Sequence, residues 1–478
     1  MHSALPGSTE PFRGDRSEAS APAPGGPLAA TWFPRRKMAV MTTLPLTPAS
    51  ATSGGLVCPY FEAHRCRSCT LIETPHAQQI TDKESWCRDV LADHPPRTWL
   101  PAAAGPDHDF RNRAKLAVGG SAGAVTLGIL DAEFDGVDLR DCGIQAPAIR
   151  AVIPTLADFL DDTGLDPYDV PTRRGELKFV HVTAAPSGDL MIRFVVRSQF
   201  GLEVITARQD RLLAALPQAT VVSVNLLPEH KAALEGSREV MLRGETLRMD
   251  LERVDLHLRP QSFFQTNTEV AMRLYDQVAA WVDEIAPRTL WDLYCGVGGF
   301  ALWCAVPGTG ADADLGPGTD PRPGMDTAAG DDHGRPPRRV TGIEVSEQAI
   351  ESARASADEL GVDVEFTAAD ATEFAQSRLA DSQQADGDRP DCIIVNPPRR
   401  GIGATLSTTL EDSRVEHIVY SSCNPLTLAK DLDRMPSYVV EQARVFDMFP
   451  HTKHLEVAVL LRRRRGGDDA SPVRKDGR

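Results

Sequence analysis

The sequence predicts an α/β protein. Its C-terminal half reads as a doubly wound, mainly parallel sheet, preceded by a β-rich central region and a small cysteine-bearing segment. Three observations carry this. From about residue 288, strand patterns alternate with helix patterns. A glycine-rich turn follows the first of those strands, and a carboxylate ends the second. Between residues 96 and 250, basic and apolar residues alternate with the period of two that strands show.

The 478 residues have room for two or three domains at about 150 residues each. Residues 1–53 are rich in Ala, Pro, Ser and Gly and lack the apolar stretch of a signal peptide, so a disordered tail is expected there. Met38 and Met41 are alternative starts. Residues 54–95 form the cysteine segment, 96–250 the central β-rich domain and 251–466 the α/β domain, with a second disordered tail at 467–478. Two low-complexity inserts, 307–338 and 380–390, have too few aliphatic residues to bury a core and are expected as surface loops. No run approaches the roughly 18 apolar residues of a membrane span. A cytoplasmic, monomeric protein without membrane contact is expected.

A net charge of −16 argues against a protein that coats nucleic acid non-specifically. It leaves room for local basic surfaces, and "RNRAK" at 111–115, "RRGELK" at 173–178, "NPPRRG" at 396–401 and "RRRR" at 462–465 are candidates.

Nine cysteines without a signal peptide do not suggest a disulfide framework. In "CPYFEAHRCRSC", Cys58, Cys66 and Cys69 stand close enough in sequence to share one metal centre, and Cys142, in the polar turn "DLRDCGIQAP", is the candidate fourth ligand. Spacing alone leaves zinc and an iron–sulfur cluster equally open, since both accept four thiolates. Cys87 shares an amphipathic helix face with Trp86, Val90 and Leu91 and reads as core.

The α/β domain then unfolds in order. "TLWDLYCGVGGFALWCA" is strand, glycine turn and helix. "RVTGIEVSEQAIESARASADELG" is a strand ending at Glu344 followed by a helix; "VEFTAADATEFA" and "DCIIVNPPRRG" supply the third and fourth strands. "EHIVYSSCN" is the fifth, with a helix opening at Pro425, and "EQARVFDMFPHTKHLEVAVLLR" reads as a closing hairpin that puts one antiparallel strand into the sheet. Gly296, Gly298 and Gly299 do not form GxGxxG. Glycines that admit a ligand to the backbone, with Glu344 placed to bind ribose hydroxyls, suit S-adenosylmethionine better than a dinucleotide. Cys423 lies between the fifth strand and the next helix, where filler and exposed nucleophile are both open readings. A helix N-terminus there would stabilise its thiolate.

Together "CPYFEAHRCRSC", "RPQSFFQTN", "WDLYCGVGGF", "TGIE", "NPPRRGIG", "YSSCN" and "DMFPHTKHLEV" resemble the RNA uracil-5-methyltransferases, most of all those acting on 23S ribosomal RNA. The likeness runs from about residue 56 to 463. It implies a class I, Rossmann-like methyltransferase sheet and an RNA-binding central domain. It also implies a [4Fe–4S] cluster on Cys58, Cys66, Cys69 and Cys142, and S-adenosylmethionine contacts at Gln265, Tyr294, Glu344 and Asn396. Cys423 becomes the nucleophile that adds to carbon 6 of uracil, and Glu456 the base that later removes the proton from carbon 5. Asn396 departs from the "DPPR" of other branches, keeping a hydrogen-bonding side chain without the charge.

From the residues alone, Glu456 reads as a solvent-exposed strand carboxylate. Phe263 or Phe264 could stack on a base lifted from its helix, and His451 and His454 could be secondary acid–base or RNA contacts. Two rivals are open: an amino-group methyltransferase, which would want an aromatic residue where Arg399 stands, and a cluster-bearing RNA-binding protein without catalysis.

Overall fold

The computed structural model describes residues 55–306, 338–379 and 389–465. All of them belong to one compact unit, Thr47–Arg478. Both expected tails, and nearly all of both inserts, lie outside the described residues.

The central region is a seven-stranded sheet in the order Gly136–Asp138, Ala124–Leu130, Arg113–Ser121, Leu177–Ala184, Leu190–Val196, Ala219–Leu226, Arg238–Arg243. Alternation decides its two faces. Ala114, Leu116, Val180, Val182, Ile192 and Phe194 point to one side, where they pack with Ile149, Ile153, Leu156 and Leu160 of the helix Pro147–Thr163. Each of the larger side chains among them contributes about 1.5–3 kcal/mol of burial. Their sequence neighbours Arg113, Lys115, His181 and Arg193 therefore share the opposite face. The polar stripe read from "RNRAK" is real, though Arg193 and His181 are themselves buried.

The C-terminal sheet has eight strands, in the order Thr98–Trp99, Tyr438–Phe446, Glu456–Arg463, His417–Ser422, Cys392–Val395, Thr289–Leu293, Arg339–Glu344, Val364–Ala368. Every pairing is parallel except those of Glu456–Arg463, which runs antiparallel to both neighbours. The predicted single reversed strand is thus present. "TLWDL" and "CIIV" are buried throughout, as strands covered on both faces must be. Chain order reverses between them, which opens a crevice at their carboxyl ends.

One contribution has no sequence signal. Thr98–Trp99 crosses over from the N-terminal segment to extend this sheet beside Tyr438–Phe446. The helix His76–Val90 also packs there: Cys87 is fully buried in the C-terminal core, as its helix face predicts, and Lys83 pairs with Asp447, both out of contact with water.

Candidate active site

Four strand ends and one strand start line up along a single edge of the C-terminal sheet. Glu344 ends one strand, Tyr294 follows its neighbour, Asn396 follows the next and Cys423 the next. Glu456 opens the antiparallel strand beyond. The registers Leu293 with Ile343 and Leu293 with Val395 keep Glu344, Tyr294 and Asn396 level, while Val395 with Tyr420 and Ser422 with Val457 set Cys423 and Glu456 level with each other, two residues further along the same edge. Neighbouring strands stand about 4.8 Å apart, so residues far apart in sequence become a row of adjacent side chains.

At one end of the row, Ser422 faces Val457, so Cys423 and Glu456 are neighbours one step beyond the last paired residues. Glu456 is only 2% exposed, which overturns its reading as a surface carboxylate. Burial pushes its carboxyl up to about 7, against a hydrogen bond from Ser421 Oγ to Oε1 at 2.6 Å. A carboxyl with that value exchanges its proton near neutrality, as a general base requires. Cys423 is half-buried. Burial and then the Glu456 carboxylate push its thiol up, and Arg399 opposes them. The expected thiolate stabilisation by the helix N-terminus does not prevail. Asn424, not Cys423, caps the helix Pro425–Leu432, its side chain accepting the Leu426 N–H at 3.2 Å. Arg399 is the local cation that favours the thiolate.

At the other end, Glu344 accepts the N–H groups of Gly296 and Ser346 at 3.3 and 3.1 Å. Of the three turn glycines, only Gly296 has open space where a Cβ would stand; a Cβ on Gly298 would meet Phe366 at 2.9 Å, and one on Gly299 the Tyr275 hydroxyl at 2.8 Å. Two glycines therefore serve internal packing, and one leaves the backbone open to a ligand. Beneath the turn lies Asp292, which sequence reasoning passed over. It is fully buried and its Oδ2 accepts the Ala301 N–H at 3.0 Å, while Oδ1 has no protein partner. Burial raises this carboxyl to about 8, Glu344 adding to the effect. A carboxylate inside the otherwise apolar "TLWDL" was the signal that could have exposed it. Gln265 is buried in the loop before the helix Thr268–Ile285, and Asn112 Nδ2 holds its backbone carbonyl at 2.9 Å.

The two aromatic candidates separate cleanly. Phe264 is core at 4% exposure, whereas Phe263 is 70% exposed. His451 is a buried clamp whose Nε2 lies 2.7 Å from the Asp107 carbonyl; His454 is exposed and contacts Arg399.

Comparison with known proteins places the chain. A protein of Halothiobacillus neapolitanus named 23S rRNA (uracil(747)-C(5))-methyltransferase RlmC is 43% identical over 84% of this chain and 98% of its own length. One of the same name from Yersinia pseudotuberculosis is 41% identical over 85% of this chain and 100% of its own. The chain belongs to the RNA uracil-5-methyltransferase family. The family profile described as tRNA (Uracil-5-)-methyltransferase matches residues 339–464, which include Glu344, Asn396, Cys423 and Glu456 of the row but not Tyr294. A solved Pyrococcus abyssi tRNA (uracil-54, C5)-methyltransferase shares the fold, with a TM-score of 0.63 at 24% identity, over 82% of this chain and 85% of that one.

Burial, then Cys142, Cys66 and Cys58, push the Cys69 thiol up to about 12, with Arg111 opposing. Cys142 is raised by burial and by Cys58 and Cys66. The four thiols therefore lie within one another's field, and a donor set of four sulfurs beside a guanidinium fits an anionic cluster. Yet among the described residues no three His, Cys, Asp or Glu side chains are close enough to hold a single metal ion. The expected metal centre is thus not preformed as an ion site.

Proposed function

We propose that this chain methylates carbon 5 of a uridine in 23S ribosomal RNA, using S-adenosylmethionine and a transient covalent bond to Cys423. The uridine is taken to be the one for which the RlmC relatives are named, position 747. The observation that carries the reading is the pairing of Cys423 with a buried Glu456 whose carboxyl titrates near 7, at the carboxyl edge of the sheet. A noncatalytic RNA-binding protein has no use for that arrangement. Action on tRNA, which the family profile's description suggests, is disfavoured by near full-length relatives named for 23S ribosomal RNA.

The residues divide the chemistry. Carbon 5 of uracil is too poor a nucleophile to take a methyl group unaided. The Cys423 thiolate adds to carbon 6, and the electron pair of the ring double bond moves to carbon 5 and the carbonyl. Bound S-adenosylmethionine supplies an electrophilic methyl group. Glu456 then takes the carbon 5 proton; the electron pair re-forms the double bond and Cys423 leaves as thiolate. Ser421 orients the carboxylate, and Arg399 favours the ionised thiol at both ends of the cycle. Glu344, Tyr294, Asn396 and Gln265 hold the donor, with the Gly296 backbone as its nearest open approach.

A [4Fe–4S] cluster would be held by Cys58, Cys66, Cys69 and Cys142. It would tie the segment from residue 55 to the turn at Cys142. The support is the shared field of the four thiols and the family resemblance. Among the described residues no helix is long and apolar enough to cross a membrane. Ribosomal RNA as substrate makes the cytoplasm the site of action. Transfer of labelled methyl from S-adenosylmethionine to 23S ribosomal RNA tests the reading; recovery of 5-methyluridine at position 747 is expected, and label in tRNA alone would overturn it.

A further inference from the structure

The central sheet carries a second site. Arg113 pairs with Thr183, Lys115 with His181 and His181 with Arg193 across three adjacent strands, so these side chains stand on one face. Residues 260–263 and Glu235 join that face in lining an open cavity of about 190 Å³. Arg113 donates Nε to Thr183 and Nη1 to the Ser262 carbonyl, leaving buried Nη2 without a partner. His181, 5% exposed, has no partner for Nε2. Burial and the surrounding cations hold its imidazole neutral. A buried guanidinium N–H left unused beside a cavity open at its rim calls for an acceptor.

We propose that this cavity holds a phosphodiester of single-stranded RNA, and that Glu235 occupies its place until the RNA displaces it. The proposal rests on the RNA-directed reading above and names a subsite for that substrate. Two carboxylates meet Arg193, and they differ. Glu239 grips it through Nε and Nη2 from a strand and is 15% exposed; Glu235 touches only Nη1, from the loop before that strand, and is 39% exposed. One is a fixed partner and the other exchangeable. A phosphodiester carries the same single charge as the carboxylate it replaces, so the exchange leaves Arg193 paired. Phe263 at the rim supplies a face on which a base can stack, which selects nucleic acid over a free anion. The same loop continues to Gln265, so a strand anchored here leads toward the catalytic row.

The test uses the full chain and a fluorescein-labelled ten-nucleotide oligouridylate, titrated at several KCl concentrations. Glu235→Gln should tighten binding about fivefold near 100 mM salt, because the phosphodiester no longer has to displace a partly exposed carboxylate from Arg193. Glu133→Gln, an equal charge change at an exposed position, should leave binding within about twofold. Lys115→Gln and Phe263→Ala should each weaken binding. Equal tightening by Glu235→Gln and Glu133→Gln, or none by either, overturns the proposal. Inorganic phosphate that displaces the RNA at micromolar concentration overturns the assignment to RNA. Failure of methyl transfer to 23S ribosomal RNA, with Glu235-dependent oligouridylate binding intact, sinks the function proposed above and supports this site.

Discussion

Ser421 donates its hydroxyl to Glu456 Oε1 at 2.6 Å, and neither side chain reaches solvent. The bond lies diagonally across the antiparallel pair, since Ser421 faces Ala458 and Glu456 sits two residues before it. It holds the carboxylate beside Cys423 while burial keeps its proton affinity high.

Glu456→Gln is expected to stop the cycle after methyl transfer, because addition to carbon 6 needs no carboxylate and proton removal does. Denaturing gels should show a covalent protein–RNA complex carrying the methyl label; its absence would assign the base elsewhere. The same substitution reads the buried charge. Glu456 has its folded value raised from 4.5 to about 7, so its stability contribution is full below 4.5 and is lost as pH rises through about 7. Wild type should therefore lose about 3 kcal/mol relative to Glu456→Gln between pH 4.5 and 8, as denaturant midpoints will show. Parallel pH trends would refute the raised value.

Cys423→Ala should abolish methylation and the adduct with 5-fluorouridine RNA while donor affinity stays within about twofold, since the thiol supplies chemistry and not affinity. Arg399→Ala should move the pH midpoint of Cys423 alkylation upward, because it removes the one cation that opposes burial and Glu456. An unchanged midpoint would deny Arg399 that role.

Protein purified without oxygen should be brown, with about four irons per chain. Serine at Cys58, Cys66, Cys69 or Cys142 should remove the colour. Cys87→Ser should retain it, since Cys87 is fully buried in the hydrophobic core. Stoichiometric zinc in the anaerobic protein would replace the cluster with a single-ion site.

Lys83→Met should destabilise the fold by about 3–5 kcal/mol, the usual cost of stranding one partner of a buried ion pair. Asp447 would be left with His76 alone, under the loop that leads to Glu456. Calorimetry checks the loss, and a change below 1 kcal/mol would contradict the pair's burial.

Residues 307–337 should be dispensable. Arg338 Nη1 donates to the Cys304 carbonyl at 2.6 Å, so the flanks of that segment already meet. They meet where the strand Arg339–Glu344 begins, at the edge opposite Cys423. A short Gly/Ser linker should keep methylation within about twofold, since closure cost grows only with the logarithm of length. A large loss from a folded variant would reveal a partner that binds there.

The sequence by itself determined the strand–helix alternation, the glycine turn, the reversed last strand and the place of Cys423 between a strand and a helix, because these follow from local periodicity and short motifs. Cys87 as core was also legible, from its helix face. What only the tertiary structure decided are properties set by distant neighbours. Glu456 looks exposed in "HTKHLEV" because one residue cannot disclose that its strand lies between two others. Cys423 seemed activated by its helix, but burial and the neighbouring carboxylate outweigh a terminus already capped by Asn424. Thr98–Trp99 joins a sheet whose partner strand comes some 340 residues later, a pairing no local pattern encodes. Solvation and charge at a site are sums over everything folded around it, and the chain assembles those neighbours only in three dimensions.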